Sequence, residues 1–318
     1  MIIILSSKYD YTTYEVTNWL NFFNQKYIVV SPKDLFRSIE VIDFNRFNFK
    51  KNIEKILGCK LKEIKVIWCR KWYLIEALDD LNIDNSEIRN SLLSEIEVIN
   101  KMFFEILPKK RIINNFNKRL DSKLNQLIIA QECNLNIPKS HLINSMKSID
   151  IILNSNINLI TKPMNEGVDV KFDNDEYTTY TERLKRDQIN SDDFFPSLVQ
   201  NEINKKYEIR TLFIGDDDYS MAINCNNLVS DVIDIRKFSE NRPENTAHFI
   251  LPEEYKLKIL KLMKRLNLKT GSVDTLVDHK NDFFFLEINP YGQFSFISEE
   301  CNFNLEYKFS QFLMNYEC

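Results

Sequence analysis

Gly271–Pro290 reads GSVDTLVDHKNDFFFLEINP. The polar run His279-Lys280-Asn281-Asp282 separates two apolar-rich segments, so the stretch predicts a β-hairpin. A loop of two or four residues pairs Asp278 with Phe283. Counting back then sets Val277 opposite Phe284, Thr275 opposite Leu286 and Val273 opposite Ile288, on one apolar face. Because side chains alternate along a strand, the other face pairs Asp274 with Glu287 and Ser272 with Asn289, and Phe283 and Phe285 continue it. A three- or five-residue loop breaks this pairing.

Two carboxylates opposed across a hairpin have Cβ atoms about 4.5 to 5.5 Å apart, and like charges so placed are destabilising. A cation resolves the conflict. Carboxylate and amide oxygens converging on one point are ligands that Mg2+ accepts, with its remaining positions left to water and phosphate oxygens. Asp274, Glu287 and Asn289 are therefore expected to hold Mg2+ shared with a nucleoside triphosphate. The alternative is a solvated hairpin face with no ligand.

Composition narrows the rest. The 318 residues exceed what a single core usually supports, so two or three domains are expected. Lys+Arg 42 against Asp+Glu 46 leaves a net charge of -4, with no global field for nucleic acid or an anionic membrane. The six cysteines have neither zinc-site spacing nor a disulfide pattern, which favours reduced thiols and a cytoplasmic location. MIIIL at the start is too short for a signal peptide or a membrane span and reads as a first strand. Only 5 glycines occur, which excludes the Gly-rich phosphate loops GxGxxG and GxxxxGK[ST]. A nucleotide bound here must be held by side chains.

Strand, helix and strand patterns over Ile2–Leu5, Thr12–Lys26, Tyr27–Val30 and Ile64–Arg70, then a helix over Ser86–Leu107, predict an open α/β domain ending near Pro108. A helix follows over Asp121–Asn134. Short strands are expected at Leu159–Lys162, Ser197–Ile203, Glu208–Ile214 and Tyr219–Asn224, then a helix from Glu253 to about Leu268 that Gly271 caps. Lys162 closes a strand in LITKPMNEGV, where an ammonium can project toward phosphate; for one lysine, simple solvation is the commoner state.

In SLVQNEINKKYEIR, residues 197–210, an apolar strand meets Gln200, Glu202 and Ile203, and Glu208 and Arg210 follow. A strand lysine, a VQxxI hinge, an E-I-R triplet and a closing D…ExNP, in that order, resemble the ATP-grasp ligases from about Asn114 to the end of the chain. The resemblance implies an α/β class protein: an N-terminal open α/β (pre-ATP-grasp) domain over 1–112, a central lobe over 113–200 and a C-terminal lobe over 201–318, the two lobes enclosing ATP. Lys123 and Lys162 match the family's ATP-binding lysines, Gln200, Glu202 and Ile203 its adenine hinge, and Glu208 its ribose ligand. Arg210 would face the transferred phosphate or an acyl phosphate, and Asp274, Glu287 and Asn289 match the Mg2+ ligands. The usual Gly-rich phosphate loop is here Met164-Asn165-Glu166-Gly167, a departure from the family pattern.

LEINPYGQFSFIS…CNFNLE, IPKSHLIN and VIWCRKW resemble more narrowly the peptide maturases that make graspetides, closest to the grasp-with-spasm type. This implies a ribosomally made precursor peptide as partner, a leader plus a core bearing Thr/Ser and Asp/Glu, whose carboxyls are activated as acyl phosphates and joined to Thr, Ser or Lys side chains as ω-esters or ω-amides. Neither nucleic acid nor membrane is an expected partner, and a homodimer stays open. Arg236, in DVIDIRKFSENRP with Asp234, is a second candidate for steadying the acyl phosphate, with a solvated loop arginine as the alternative. Arg70 and Lys71 are weaker candidates for the substrate side. His141, His248 and His279 read as ordinary, with a general-base role kept open for His248. The alternatives are another ATP-grasp carboxylate-amine ligase, such as a protein-tail glutamate ligase or a small-peptide ligase, and a nucleotide-binding module without catalysis.

Overall fold

The computed structural model describes residues 1–39, 46–115, 122–152, 158–164, 169–172, 175–189, 191–226, 233 and 245–317. Apolar runs at the N-terminus build a parallel sheet from β1 (Ile2–Leu5), β2 (Tyr27–Val30), β3 (Val66–Cys69) and β4 (Ile112–Ile113), in the order β2-β1-β3-β4. Every residue of β1 and β3 is buried, as continuous apolar strands of a parallel sheet should be. Helix α1 (Tyr11–Phe22) covers one face; α2 (Pro32–Arg37), α3 (Arg46–Ile56) and the long α4 (Ser86–Ile106) belong to the same segment. Asp10 caps α1, accepting from Thr13 N, and Ser31 with Asp34 forms a capping box on α2.

Helix α5 (Lys123–Glu132) leads to a second sheet. Its strands are β5 (Ser140–Ser145), β6 (Leu159–Lys162), β9 (Glu182–Arg183) and β10 (Asp193–Asn201), in the order β5-β10-β6-β9. Helix α6 (Met146–Ile152) packs on it, and β7 (Asp169–Phe172) pairs with β8 (Asp175–Thr178) as a separate ribbon. The third sheet is antiparallel, in the order β13-β12-β11-β14-β15: β11 (Lys205–Ile214), β12 (Asp217–Asn224), β13 (Thr246–Phe249), β14 (Thr270–Asp278) and β15 (Phe283–Asn289). Helices α7 (Glu253–Arg265), α8 (Ser295–Glu300) and α9 (Leu305–Asn315) complete the chain.

Alternation gives the third sheet two unlike faces. Ile209, Phe213, Val273, Phe285 and Ile288 lie in one core with α5 and α7. On the other face, Leu212, Ile214, Met221 and Ile223 meet α9, α1 and the first sheet in a second core. Toward β15 that same face turns polar, presenting Glu208, Arg210, Asp274 and Glu287. The polar half is what the second sheet faces across a cleft.

Glycine scarcity has a visible consequence. Among the described residues every non-glycine positive φ belongs to asparagine, at Asn24, Asn114, Asn134, Asn267, Asn281, Asn302 and Asn304. Asparagine tolerates the left-handed region best after glycine, since its short amide can bond locally. One expectation is corrected by this: α7 ends at Arg265 with Asn267 at φ +56, while Gly271 lies inside β14. There a Cβ would meet Ile288 Cδ1 at 3.0 Å, so Gly271 serves close packing rather than capping.

The hairpin register is a second correction. Asp274 pairs with Glu287 and Ser272 with Asn289, as counted from the sequence, but Val277 pairs with Phe283 and Thr275 with Phe285. The turn therefore spans Asp278–Asp282, five residues, held by Lys280 N and Asp282 N donating to Asp278 Oδ1 at 2.8 and 2.9 Å. The slip is cancelled by a bulge at Leu286, the one residue of β15 with no partner between Glu287 and Phe285. It also reverses the phenylalanine assignment: Phe285 is 0% exposed in the apolar core, while Leu286 lines the cleft.

Candidate functional site

Lys123, Lys162, Gln200, Ile203, Glu208, Arg210, Asp274, Glu287 and Asn289 line one cleft between the second and third sheets. Glu202 is not among the lining residues: Arg183 Nε and NH2 hold its carboxylate at 2.9 and 2.7 Å, and its N–H donates to Asn158 O at 2.9 Å. Hydrogen bonding from Arg183 first, and its charge as well, keeps the Glu202 carboxyl below its ordinary pKa against the effect of burial. Arg236, Asp234 and the Asn165-Glu166-Gly167 part of the expected phosphate loop lie outside the described residues. His248 lies on β13, edge-on to Phe303 at 4.9 Å, and does not line the cleft.

The sheet places the charges in a row. Arg210 of β11 pairs with Asp274 of β14, which pairs with Glu287 of β15, so one line across three strands carries cation, acid, acid. Lys123, the first residue of α5, brings Nζ to 3.0 Å from Glu287 Oε2. Arg210 Nε lies 3.9 Å from Asp274 Oδ1, and its NH2 lies 3.8 Å from Glu208 Oε1. Lys205 Nζ reaches Glu208 Oε2 at 3.1 Å and Ile233 O at 2.8 Å. Each carboxylate thus has a cation beside it, an arrangement in which partners can be exchanged when a metal ion and phosphates enter. Lys205 is absent from the sequence candidates, although its place three residues before Glu208 on a strand entering the cleft could have suggested it.

The donor set fits Mg2+. Among the described residues no group of three His, Cys, Asp or Glu side chains converges; two carboxylates and an amide oxygen, completed by water and phosphate oxygens, are what this ion accepts. Two further cleft atoms, Ser272 Oγ and Gln200 Oε1, are buried and make no hydrogen bond within the protein. Buried polar atoms normally find partners, and here both border the space a ligand would fill.

Three buried clips fix the hairpin. Gln126 of α5 accepts from Ile288 N at 2.9 Å and donates to Ile288 O at 3.0 Å, closing the outer edge of β15 between Glu287 and Asn289. Asn114, 1% exposed, donates from Nδ2 to Thr270 O, Thr270 Oγ1 and Pro290 O at 3.0, 2.9 and 3.1 Å, tying both strands at the base. Arg70, at the end of β3, donates to Tyr291 O and to Gly292 O. Sequence pattern shows none of these, since each joins residues more than 150 positions apart.

No protein-family model matches the chain, and no curated relative matches it in sequence. Solved structures do match. The macrocyclase MdnC of Microcystis aeruginosa MRC, bound with precursor peptide MdnA, superposes with a TM-score of 0.80 at 20% identity over 99% of each chain. A RiPP-associated ATP-grasp ligase of Chryseobacterium gregarium, in complex with ADP and a leader and core peptide, gives 0.78 at 20% identity over 99% of this chain and 96% of that one. The ATP-grasp ligase PsnB, complexed with minimal precursor, Mg and ADP, gives 0.74 at 16% identity over 98% and 96%. The chain therefore shares the fold of these ATP-grasp ligases over 98–99% of its length, whereas its motifs led one to expect it from about Asn114 onward, behind an N-terminal α/β domain. Among the described residues no helix is long and apolar enough to cross a membrane.

Proposed function

We propose that this protein is an ATP-dependent ligase that matures a ribosomally made peptide. It joins Asp or Glu side chains of the peptide to Thr, Ser or Lys side chains as ω-esters or ω-amides. The observation that carries the reading is the row Arg210–Asp274–Glu287, with Lys123 and Lys162, in the cleft of an ATP-grasp fold whose solved neighbours hold ADP, Mg and precursor peptides. Lys123 and Lys162 neutralise phosphate oxygens, Gln200 and Ile203 border the base, and Glu208 accepts from the ribose hydroxyls. Asp274, Glu287 and Asn289 are the ligands for Mg2+, which when bound supplies charge neutralisation at the phosphates.

A peptide carboxylate oxygen attacks the γ-phosphorus and ADP leaves, giving an acyl phosphate. The hydroxyl or amine oxygen or nitrogen then attacks the acyl carbon and inorganic phosphate leaves; each linkage removes one water overall. Arg210, adjacent to Asp274, steadies the developing charge on the transferred group, and Arg236 is its proposed helper. Neither step needs a nucleophilic side chain of the enzyme, since positioning and charge neutralisation suffice. The test is co-expression with a short precursor rich in Thr/Ser and Asp/Glu, followed by mass measurement. A loss of one water per linkage, abolished by Glu287→Gln, is expected. ATP turnover with free amino acids and unchanged peptide mass would shift the assignment to a carboxylate-amine ligase of another substrate.

A further inference from the structure

The first sheet has the order β2-β1-β3-β4 with parallel pairing throughout, so the order of strand addition switches sides between β1 and β3. In open α/β sheets the crevice beyond the carboxyl ends of such strands is where ligands bind. Here that crevice is filled by the protein's own turn, Tyr291-Gly292-Gln293. Asp10 follows β1 and Arg70 follows β3, and their side chains are 1% and 3% exposed. Arg70 Nε donates to Asp10 Oδ2 at 3.1 Å, one terminal nitrogen donates to Tyr291 O and to Gly292 O at 2.9 Å, and the other donates to Gln293 Oε1 at 2.9 Å. Gln293 Nε2 returns a bond to Asp10 Oδ1 at 3.0 Å, and Thr12 donates to Gln293 Oε1.

A buried ion pair is weak evidence for stability, because desolvation offsets most of its Coulomb energy. What this one supplies is direction, since the fork of a guanidinium fixes several acceptors at once. The chain of contacts leads into the cleft. Tyr291, whose C=O Arg70 holds, donates its N–H to Asn289 Oδ1 at 2.9 Å, and Gly292 N donates to Asn289 O at 3.2 Å. Gly292 presses so closely on Ser272 that an added Cβ would stand 2.7 Å from both its Cβ and its Oγ.

We propose that Asp10 and Arg70 are positioning residues that lock the Tyr291–Gln293 turn into the switch-point crevice and thereby set the Asn289 amide and the Ser272 wall of the nucleotide cleft. The N-terminal sheet thus acts on metal binding without touching metal or nucleotide. This rests on the proposed Mg2+-nucleotide site. Outer partners that orient a metal ligand are worth about 10- to 100-fold in metal affinity or activity.

The test is Mg2+-titrated binding of a fluorescent non-hydrolysable ATP analogue to the full chain, repeated in EDTA, with thermal melting as the folding control. Arg70→Lys and Asp10→Asn are each expected to raise the half-saturating Mg2+ by about 10- to 100-fold while the metal-free affinity for the analogue stays at the wild-type value. That split separates positioning from a general loss of structure, which lowers both affinities together. Should Arg70→Lys not fold, Asp10→Asn decides, because it keeps the shape of the buried pair while removing its charge. Folded variants with wild-type Mg2+ dependence overturn the positioning role alone. A wild-type chain that binds no analogue with Mg2+ overturns the proposed site itself and this inference with it.

Discussion

Gln126→Leu tests how β15 is held. Ile288 is 2% exposed, and as an alternate residue of an antiparallel edge strand it turns its N–H and C=O away from β14, where only the Gln126 amide meets them. Leucine preserves the bulk and deletes both bonds. Two buried backbone groups left without partners cost about 1 to 3 kcal/mol each, and the added apolar burial returns about 1.5 kcal/mol, so the net loss is about 0.5 to 4.5 kcal/mol. Against a total stability of about 5 to 15 kcal/mol that is a large fraction. It falls on a strand whose neighbouring residues are Glu287 and Asn289, so Mg2+-nucleotide affinity should weaken in parallel. Urea denaturation of the full chain measures the first quantity, and hydrogen exchange at the Ile288 amide localises it. An unchanged denaturation midpoint with full protection at Ile288 would refute the reasoning, since the two bonds would then carry neither edge nor register.

The bulge makes a second prediction: Phe285→Ala, emptying a fully buried site, should destabilise by about 3 to 5 kcal/mol, whereas Phe284→Ala, outside the cores, should cost about 1 kcal/mol in the same denaturation assay. Asn114→Ala and Asn114→Gly both lose the hairpin-base bonds, but only alanine is strained at φ +54, so it should be the less stable by about 1 kcal/mol. For Asp10, burial raises the carboxyl, but the Arg70 charge and the hydrogen bonds from Thr13 and Gln293 outweigh it and leave the pKa below the ordinary 3.8. Its contribution is therefore complete above that value and lost as pH falls through the lower folded one. Denaturation midpoints at pH 7 and pH 3 should differ less for Asp10→Asn than for the wild type.

Local rules made much of the molecule readable. The β-strand at Leu159–Lys162 and the helix starting at Ser86 lie where the apolar pattern puts them, because strand alternation and helix periodicity act over a few residues. Asp274 opposite Glu287 was readable for the same reason, and the opposition of like charges pointed to a cation. The count near the turn failed because Asp278 could cap a five-residue loop and the strand could absorb the slip at Leu286. Neither event has a signature in residue type, and the two errors cancel beyond the bulge, at Asp274–Glu287, Val273–Ile288 and Ser272–Asn289. Arg70 gave no distinguishing signal either: beside Lys71 and between tryptophans it looks like any strand-end arginine.

From sequence alone came the elements, the acidic pair, the cationic residues around it and, through the order of motifs, the ATP-grasp fold. The tertiary structure alone decided which of those side chains share a cleft, that Glu202 is engaged by Arg183 instead, and that Gln126, Asn114 and Arg70 hold one hairpin from three sides. The physical reason is range. Propensity and alternation are properties of neighbours along the chain, whereas a buried amide or guanidinium finds its acceptors only after the cores have closed and excluded the water that would otherwise satisfy it.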